Sequence, residues 1–350
     1  MEIKSSFKTY NLDFIDSLDE LKTLSDQKET YFVLDRNIYS LYKEKLPVFP
    51  QERLFLMDAI ETKKNIDLVI EICEKMTSMP SKRNTHLISI GGGIVQDVTG
   101  FVANSLYRGI KWTFYPSTLL AACDSCIGGK SSLNLKSFKN LLGSFFPPDA
   151  IRIYPQFFST LTDRDYCSGL GEVVKFNVIA GEDTLSRIEK DIDKLLARDY
   201  ETLMQYVKTS LEFKKGFIEI DEFDRGERIL LNFAHTFGHA FETTSNYAIP
   251  HGSAVALGML TANYISYKRG FIEEEYMNRI EKCVRKITTH IEINEAWFVL
   301  DNIISAIRKD KKQTSSSINA VLIAQDKSLS VYKDIKEEEI KEALDRVIRC

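Results

Sequence analysis

The 350-residue chain is 44% hydrophobic and carries 46 basic against 50 acidic residues, a net charge of -4. This composition excludes a disordered chain, and the dispersed basic residues argue against a general binder of nucleic acid or of a membrane surface. The N-terminus, MEIKSSFKTYNLDF, has no apolar leader, and no stretch reaches the ~20 uncharged apolar residues of a membrane span, so a cytoplasmic protein is expected.

In chain order, short β-like runs alternate with helical patterns: YFVLD (31–35), RLFLM (53–57), the amphipathic NIDLVIEICEKMTSM (65–79), then HLISI (86–90) ending at Gly91-Gly92-Gly93. WTFYP (112–116) and AIRIYP (150–155) are further strands. Such alternation predicts parallel βαβ units. Beyond Leu161 the pattern turns helical, with apolar residues at three-to-four spacing through EDTLSRIEKDIDKLLAR, ETLMQYVKTSLEFKKGFIEI, SAVALGMLTANYISYKRG and EEEYMNRIEKCVRKI. The expected architecture is α/β: an N-terminal Rossmann-like nucleotide domain over 1–155 and a mostly α-helical domain over 156–350.

GGGIVQDVTGFVA follows a strand and opens a helix, so its glycines let backbone approach a pyrophosphate, with Asp97 placed for ribose hydroxyls; the alternative is a plain tight turn. In CDSCIGGKSSLNLKSFKNLLG, Lys130 stands directly behind two glycines, with Lys139 and Asn140 further on, a grouping suited to phosphate or to a turn with solvated lysines. Six cysteines are scattered at 73, 123, 126, 167, 283 and 350; the single C-x-x-C is expected to be buried thiols. Three of the five histidines fall in LNFAHTFGHAFETTSNYAIPHG. His235 and His239 are four apart, on one face of a helix, while Pro250 ends that helix before His251. Three protein ligands with an open position suit a catalytic zinc site, and Glu172 in SGLGEVVKF is the best acidic partner. No glutamate directly follows His235, so the zinc-protease pattern is absent. Lys214, Arg228 and Asn232, just upstream, suit a carboxylate-bearing or phosphorylated substrate.

GGGIVQD, the R-G of LYRGIKW, PSTLLAACDSCIGGKSSLN, KNLLGSFFPP, SGLGEVVKF, RILLNFAHTFGHAFE and PHG stand in the order of the motifs of 3-dehydroquinate synthase and its sugar-phosphate cyclase relatives. The resemblance runs from about Asp35 to the DKK at 310–312. It implies a dehydroquinate synthase-like fold with NAD bound to the α/β domain and metal and substrate to the helical one. By the same resemblance Glu172, His235 and His251 are zinc ligands, with cobalt an alternative ion, and His239 is a catalytic histidine. Asp124, Lys130, Asn140, Lys175, Lys214, Arg228 and Asn232 match substrate contacts, Lys214 and Arg228 holding a carboxylate. Arg108 matches an arginine that reaches the phosphate bound by the partner copy of a homodimer. For NAD the matching positions are Asp35, Glu61, Lys64, Gly92, Gly93, Asp97, Ser117, Thr118, Lys139, Thr160, Leu161 and Asp165, the last in place of a usual glutamate.

The activity implied is conversion of 3-deoxy-D-arabino-heptulosonate 7-phosphate to 3-dehydroquinate and phosphate, by transient oxidation with NAD, β-elimination, reduction and aldol closure, in the shikimate pathway of aromatic amino acid biosynthesis. The sequence departs from the family pattern at Ala234 and Gln96, where glycine is usual, at Ser253 in place of the glutamate of H-G-E, and at Phe138. Ser253 changes charge two residues from a candidate ligand. Retained Arg228, Asn232 and His239 point to a carboxylated heptulosonate phosphate. The competing readings are a cyclase of another sugar phosphate, a metal-dependent polyol or glycerol-phosphate dehydrogenase, and a non-catalytic relative.

Overall fold

The apolar runs of the first half pair edge to edge into one sheet whose inner strands are buried on both faces, which is why they read as unbroken apolar segments rather than alternating ones. A computed structural model describes residues 1–136, 138–309 and 317–349; the DKK at 310–312 lies outside them. The chain divides into two units, Met1–Leu161 with Ile218–Phe223, and Thr162–Phe217 with Asp224–Cys350.

The first unit contains β1 (Glu2–Ile3), β2 (Tyr10–Phe14), α1 (Asp19–Asp26), β3 (Thr30–Asp35), α2 (Arg36–Leu41), β4 (Leu54–Met57), α3 (Ile66–Thr77), β5 (His86–Gly91), α4 (Gly93–Ser105), β6 (Lys111–Pro116), β7 (Lys130–Leu135), β8 (Phe138–Phe145) and β9 (Ala150–Ile153). Among the described residues seven strands form a sheet in the order β1-β2-β9-β6-β5-β3-β4, and only β1 and β2 pair antiparallel within it. From β3 the chain steps outward to β4, then returns to the other side of β3 as β5, so strand order reverses there. Ligands of open α/β sheets bind beyond the carboxyl ends of strands at such a reversal.

The predicted strands and the helix opened by the glycine run are all present. Several elements carried no clear signal, among them β2 and the β7–β8 hairpin. The strand β2, YNLDF, is too short for its buried-exposed alternation to stand out, and the β7–β8 hairpin is rich in serine, lysine and asparagine.

His86 opens β5 with its Nε2 2.9 Å from Thr113 Oγ1. Burial, aided by Lys111, lowers its pKa to about 4. Because the folded value lies below the ordinary 6.5, the unfolded chain takes up a proton that the folded one refuses as pH falls through this window. We predict a loss of roughly 2–3 kcal/mol between neutral pH and pH ~4 from this group. Urea midpoints across that range should show a shallower pH dependence for His86→Gln; identical slopes would refute the assignment.

The second unit is built of α5 (Asp163–Ile179), α6 (Glu182–Leu196), α7 (Tyr200–Ile220, its last turn from Ile218 counted in the first unit), α8 (His235–Thr244), α9 (His251–Lys268), α10 (Glu274–Thr288), α11 (Leu300–Lys309), the hairpin β10 (Ile318–Ile323) and β11 (Leu329–Ile335), and α12 (Glu337–Ile348). α9 is buried continuously from Gly252 to Asn263, packed by α5, α8, α10, α12 and β10. A helix with apolar residues all round belongs at the centre of its neighbours.

Glycines set how closely these helices approach. A Cβ on Gly171 of α5 would lie 2.0 Å from the carbonyl oxygen of Gly252, and one on Gly252 would lie 1.8 Å from that of Ser168. Between α8 and α9, a Cβ on Gly238 would meet Val255 backbone at 3.0 Å, and one on Gly258 the Ala234 oxygen at 2.4 Å. Backbone cannot step aside as a side chain can, so Gly252→Ala should force α5 and α9 apart at a cost of about 3 kcal/mol or more. The expected readout is a Tm lowered by roughly 5–10 °C; an unchanged Tm would show that the crossing has slack.

Candidate functional site

Three glycines of the helix crossings, Gly171, Gly238 and Gly252, are adjacent in sequence to a residue of the histidine cluster. Glu172 follows Gly171 in the middle of α5 and is fully buried. His239 follows Gly238, one turn after His235, the first residue of α8. His251 precedes Gly252 and begins α9, with Pro250 as its extended N-cap. The expected break by Pro250 is not what ends α8: that helix stops at Thr244 and the chain turns through Asn246 and Tyr247, both with positive φ. Pro250 instead supplies the fixed φ that suits the start of α9.

Glu172 Oε1 lies 3.5 Å from His235 Nε2 and 3.4 Å from His251 Nε2. The far side of each ring is anchored: His235 Nδ1 is 3.0 Å from the Phe233 carbonyl oxygen, and His251 Nδ1 is 2.9 Å from Glu242 Oε2. Donation from Nδ1–H to these acceptors leaves both Nε2 lone pairs facing the Glu172 carboxylate. That is the arrangement in which a carbonyl or carboxylate fixes the tautomer of a metal-ligating histidine. Candidate ligand atoms of His235, His239 and His251 also lie within 4.8 Å of one another, so the three rings face one volume. Burial opposes charge on His251, but Glu242 and Glu172 outweigh it and lift its pKa to about 10. The position favours positive charge, whether brought by a proton or by a metal ion. A buried carboxylate with two imidazoles fits a zinc-sized cation by donor type.

Glu242 is a residue that the sequence reading did not single out. It lies seven residues after His235 in HAFE, two turns along the same helix; that spacing was the available signal. Lys175, one turn beyond Glu172, places its Nζ 2.5 Å from Glu172 Oε2 and is almost wholly buried. Lys214 on α7 and Arg228 on the short turn Glu227–Asn232 are buried in the same unit, and Asn232 is half-buried. Ser253 places its Oγ 3.3 Å from His290 Nε2, so a histidine stands beside the residue that the sequence reading singled out as a departure. Asp165, in the first turn of α5, accepts from Thr162 Oγ1 and returns its backbone N–H to that hydroxyl. It serves the start of the helix.

In the N-terminal unit the predicted positions collect at the carboxyl ends of the strands. Asp35 ends β3 and caps α2 by accepting from the Asn37 N–H; burial raises its pKa. Gly92 and Gly93 begin α4, and a Cβ on Gly92 would lie 2.9 Å from Thr118 Cγ2. Ser117 and Thr118 follow β6, the Ser117 N–H reaching the Gly91 carbonyl at 2.8 Å. Lys64 is buried, its Nζ 2.9 Å from Asp97 Oδ2, 2.6 Å from Asn140 Oδ1 and 3.5 Å from Glu61 Oε1. Asp97 also accepts from the Ser132 N–H and Oγ, so its carboxylate is already engaged inside the fold. Burial raises its pKa against the pull of Lys64.

Lys139 stands 4.0 Å from Glu61 Oε1. Lys130 opens β7 and is exposed, and Asp124 lies on the turn Ala121–Ser125. Gln96 ties α4 to that turn by donating to the Ser125 carbonyl at 2.6 Å and accepting from Ser125 Oγ at 2.7 Å. Thr160 Oγ1 is 3.1 Å from Tyr42 OH, next to Leu161. Arg108 is exposed with a left-handed backbone, and Phe138 is exposed on β8. Cys123 and Cys126 are buried thiols, as read from the sequence.

Comparison with known proteins agrees with both units. The family profile described as 3-dehydroquinate synthase N-terminal matches residues 54–168, and that described as 3-dehydroquinate synthase C-terminal matches 169–313. A 3-dehydroquinate synthase from Dictyoglomus turgidum is 36% identical over 301 residues, covering 86% of this chain and 84% of its own. Among solved structures, 2-epi-5-epi-valiolone synthase from Streptomyces hygroscopicus subsp. jinggangensis, with NAD+ and Zn2+ bound, superposes with a TM-score of 0.87 at 22% identity, covering 99% of each chain. A 2-deoxy-scyllo-inosose synthase complexed with carbaglucose-6-phosphate, NAD+ and Co2+ gives 0.84 at 22% identity, covering 98% of each. These two share the fold. With both halves matched by the family profiles and a relative above 30% identity over most of its length, the chain belongs to the 3-dehydroquinate synthase family.

Proposed function

We propose that this chain is a 3-dehydroquinate synthase, a carbon–oxygen lyase that converts 3-deoxy-D-arabino-heptulosonate 7-phosphate to 3-dehydroquinate and inorganic phosphate. The observation that carries the reading is the convergence of the buried Glu172 carboxylate with the Nε2 atoms of His235 and His251, each ring held from behind by a hydrogen-bond acceptor. Glu172, His235 and His251 would hold zinc, or cobalt in its place, leaving His239 to act on the substrate. Of the two triads this cluster offers, the one with the carboxylate is preferred, because it offsets cationic charge and its oxygen is close to both imidazoles. When bound, zinc supplies Lewis acidity to the substrate hydroxyl and NAD supplies a hydride acceptor that is regenerated within the cycle.

The remaining work falls to positioned side chains. Lys175 holds the second Glu172 oxygen and brings a buried cation beside the cluster. Lys214 and Arg228 would bind the substrate carboxylate, Arg228 through a planar pair of N–H groups, with Asn232 hydrogen-bonding a neighbouring hydroxyl. On the N-terminal unit, Asp124, Lys130 and Asn140 would contact substrate. Asp35, Glu61, Lys64, Gly92, Gly93, Asp97, Ser117, Thr118, Lys139, Thr160, Leu161 and Asp165 would form the NAD site. Oxidation of the substrate acidifies the adjacent C–H, so phosphate leaves by β-elimination. Reduction, ring opening and an intramolecular aldol step then close the carbocycle with no net change of NAD. The enzyme is proposed to be a cytoplasmic homodimer of the shikimate pathway, Arg108 serving the phosphate bound by the partner copy. Among the described residues no helix is long and apolar enough to cross a membrane.

The test is phosphate release from 3-deoxy-D-arabino-heptulosonate 7-phosphate by purified protein with zinc and substoichiometric NAD, with mass spectrometry of the product. Many turnovers per NAD with a dehydroquinate product are expected; stoichiometric NAD consumption would point instead to a polyol dehydrogenase. His251→Ala should lose bound zinc and at least about a hundredfold in kcat/KM, and full activity in chelated buffer would sink the metal site. Arg228→Ala should raise KM for the carboxylated substrate by about a hundredfold. The carboxylate assignment fails if both forms use sedoheptulose 7-phosphate as well as the sugar acid.

A further inference from the structure

The β7–β8 hairpin is regular from Lys130 opposite Phe145 to Leu133 opposite Leu142, then shifts register before Leu135 pairs with Phe138. Asn134 stands alone at that shift, facing an expanded segment that contains Lys139 and Asn140. A bulge of this kind bends a strand and re-aims its side chains. Here Asn140 takes a left-handed backbone with φ 55°, and its side chain oxygen accepts from Lys64 Nζ at 2.6 Å.

Asn134 reaches every part of this junction. Its Oδ1 accepts the Asn140 N–H at 2.8 Å. Its Nδ2 donates to the Glu61 carbonyl at 3.0 Å and to Glu61 Oε1 at 2.9 Å. Its own N–H reaches the Lys64 carbonyl at 2.7 Å, and it forms an isolated parallel bridge with Asn65. A single amide thus satisfies the bulge on one side and the Glu61–Lys64 turn on the other. Donor and acceptor are both needed, which neither aspartate nor alanine provides.

We infer that Asn134 is a positioning residue: it sets the bulge that aims Asn140 and locks that bulge to the Glu61–Lys64 turn, so that the proposed NAD and sugar-phosphate contacts of this unit are held in one register. The inference rests on the functional reading above for the ligands those residues meet. It does so through two separable arms, the acceptor toward Asn140 and the donor toward Glu61. Asn134→Ala removes both. Asn134→Asp keeps an oxygen for the Asn140 N–H but sets a carboxylate against that of Glu61.

The experiment measures NAD affinity by calorimetry and KM for 3-deoxy-D-arabino-heptulosonate 7-phosphate in the zinc-loaded protein. Asn134→Ala should weaken NAD binding and raise KM by about tenfold each, with zinc content and kcat changed far less. Asn134→Asp should return KM to within about threefold of wild type while NAD binding stays weak. Any pattern without that split, including two variants that behave alike, overturns the assignment. If Asn134→Ala does not fold, Asn134→Asp against wild type carries the same comparison. Should the unaltered protein bind no NAD, the functional reading fails instead, and hydrogen exchange decides the positioning role: the Asn140 amide loses protection in Asn134→Ala and keeps it in Asn134→Asp, or the role is absent.

Discussion

The near-contact of two helix backbones is the constraint on which the helical unit depends. α5 and α9 cross where Gly171 meets Gly252, with no room for a methyl group on either. Because a helical residue is fixed in direction by its neighbours, this contact dictates where Glu172 and His251 point. The α8–α9 approach through Gly238 and Gly258 does the same for His235 and His239. His235 and His251 are also the first residues of their helices. The carboxylate of Glu172 therefore lies beside two helix N-termini, whose partial positive charge helps hold an anion in a buried place. Lys175 supplies the rest of the compensation that a buried carboxylate requires.

The N-terminal unit solves a different problem with a comparable device. Its polar residues project from the ends of parallel strands, where turns have little regular hydrogen bonding of their own. The buried Lys64 ammonium gathers Glu61, Asp97 and Asn140 around one cation. Each of these comes from a separate segment, so two ion pairs and one hydrogen bond from Lys64 fasten the turn after β4, α4 and the β7–β8 hairpin together. The attraction within such buried pairs is largely offset by desolvation, so their count says little about net stability.

The departures from the family pattern are absorbed locally. Ala234 sits at φ 69°, a backbone region where glycine carries no penalty and alanine costs about 1 kcal/mol. Its carbonyl accepts the Gly238 N–H at 2.9 Å, closing the first turn of α8. Gln96 is buried, and both ends of its amide are satisfied by Ser125. Ser253 meets His290 rather than a charged partner. None of the three is itself among the donors that converge with Glu172.

The sequence by itself determined the alternation of strand and helix, the glycine opening of α4 and the helical spacing of His235 and His239, because these are local: they follow from periodicity and from the backbone limits of glycine. It also pointed to Glu172 as the acidic partner. Pro250 reads in the sequence as the end of α8, which stops earlier, at Thr244; the proline starts α9. The β7–β8 and β10–β11 hairpins were not legible, since polar or short strands have no distinctive period. Tertiary structure alone decided that Glu242 would hold His251 from behind, that Asp97 would be spent on Lys64 and Ser132, and that Asn134 would join the bulge to the Glu61 turn. Those contacts link segments up to tens of residues apart, and a hydrogen bond has no sequence period. It exists only once packing has brought donor and acceptor within 3 Å of each other.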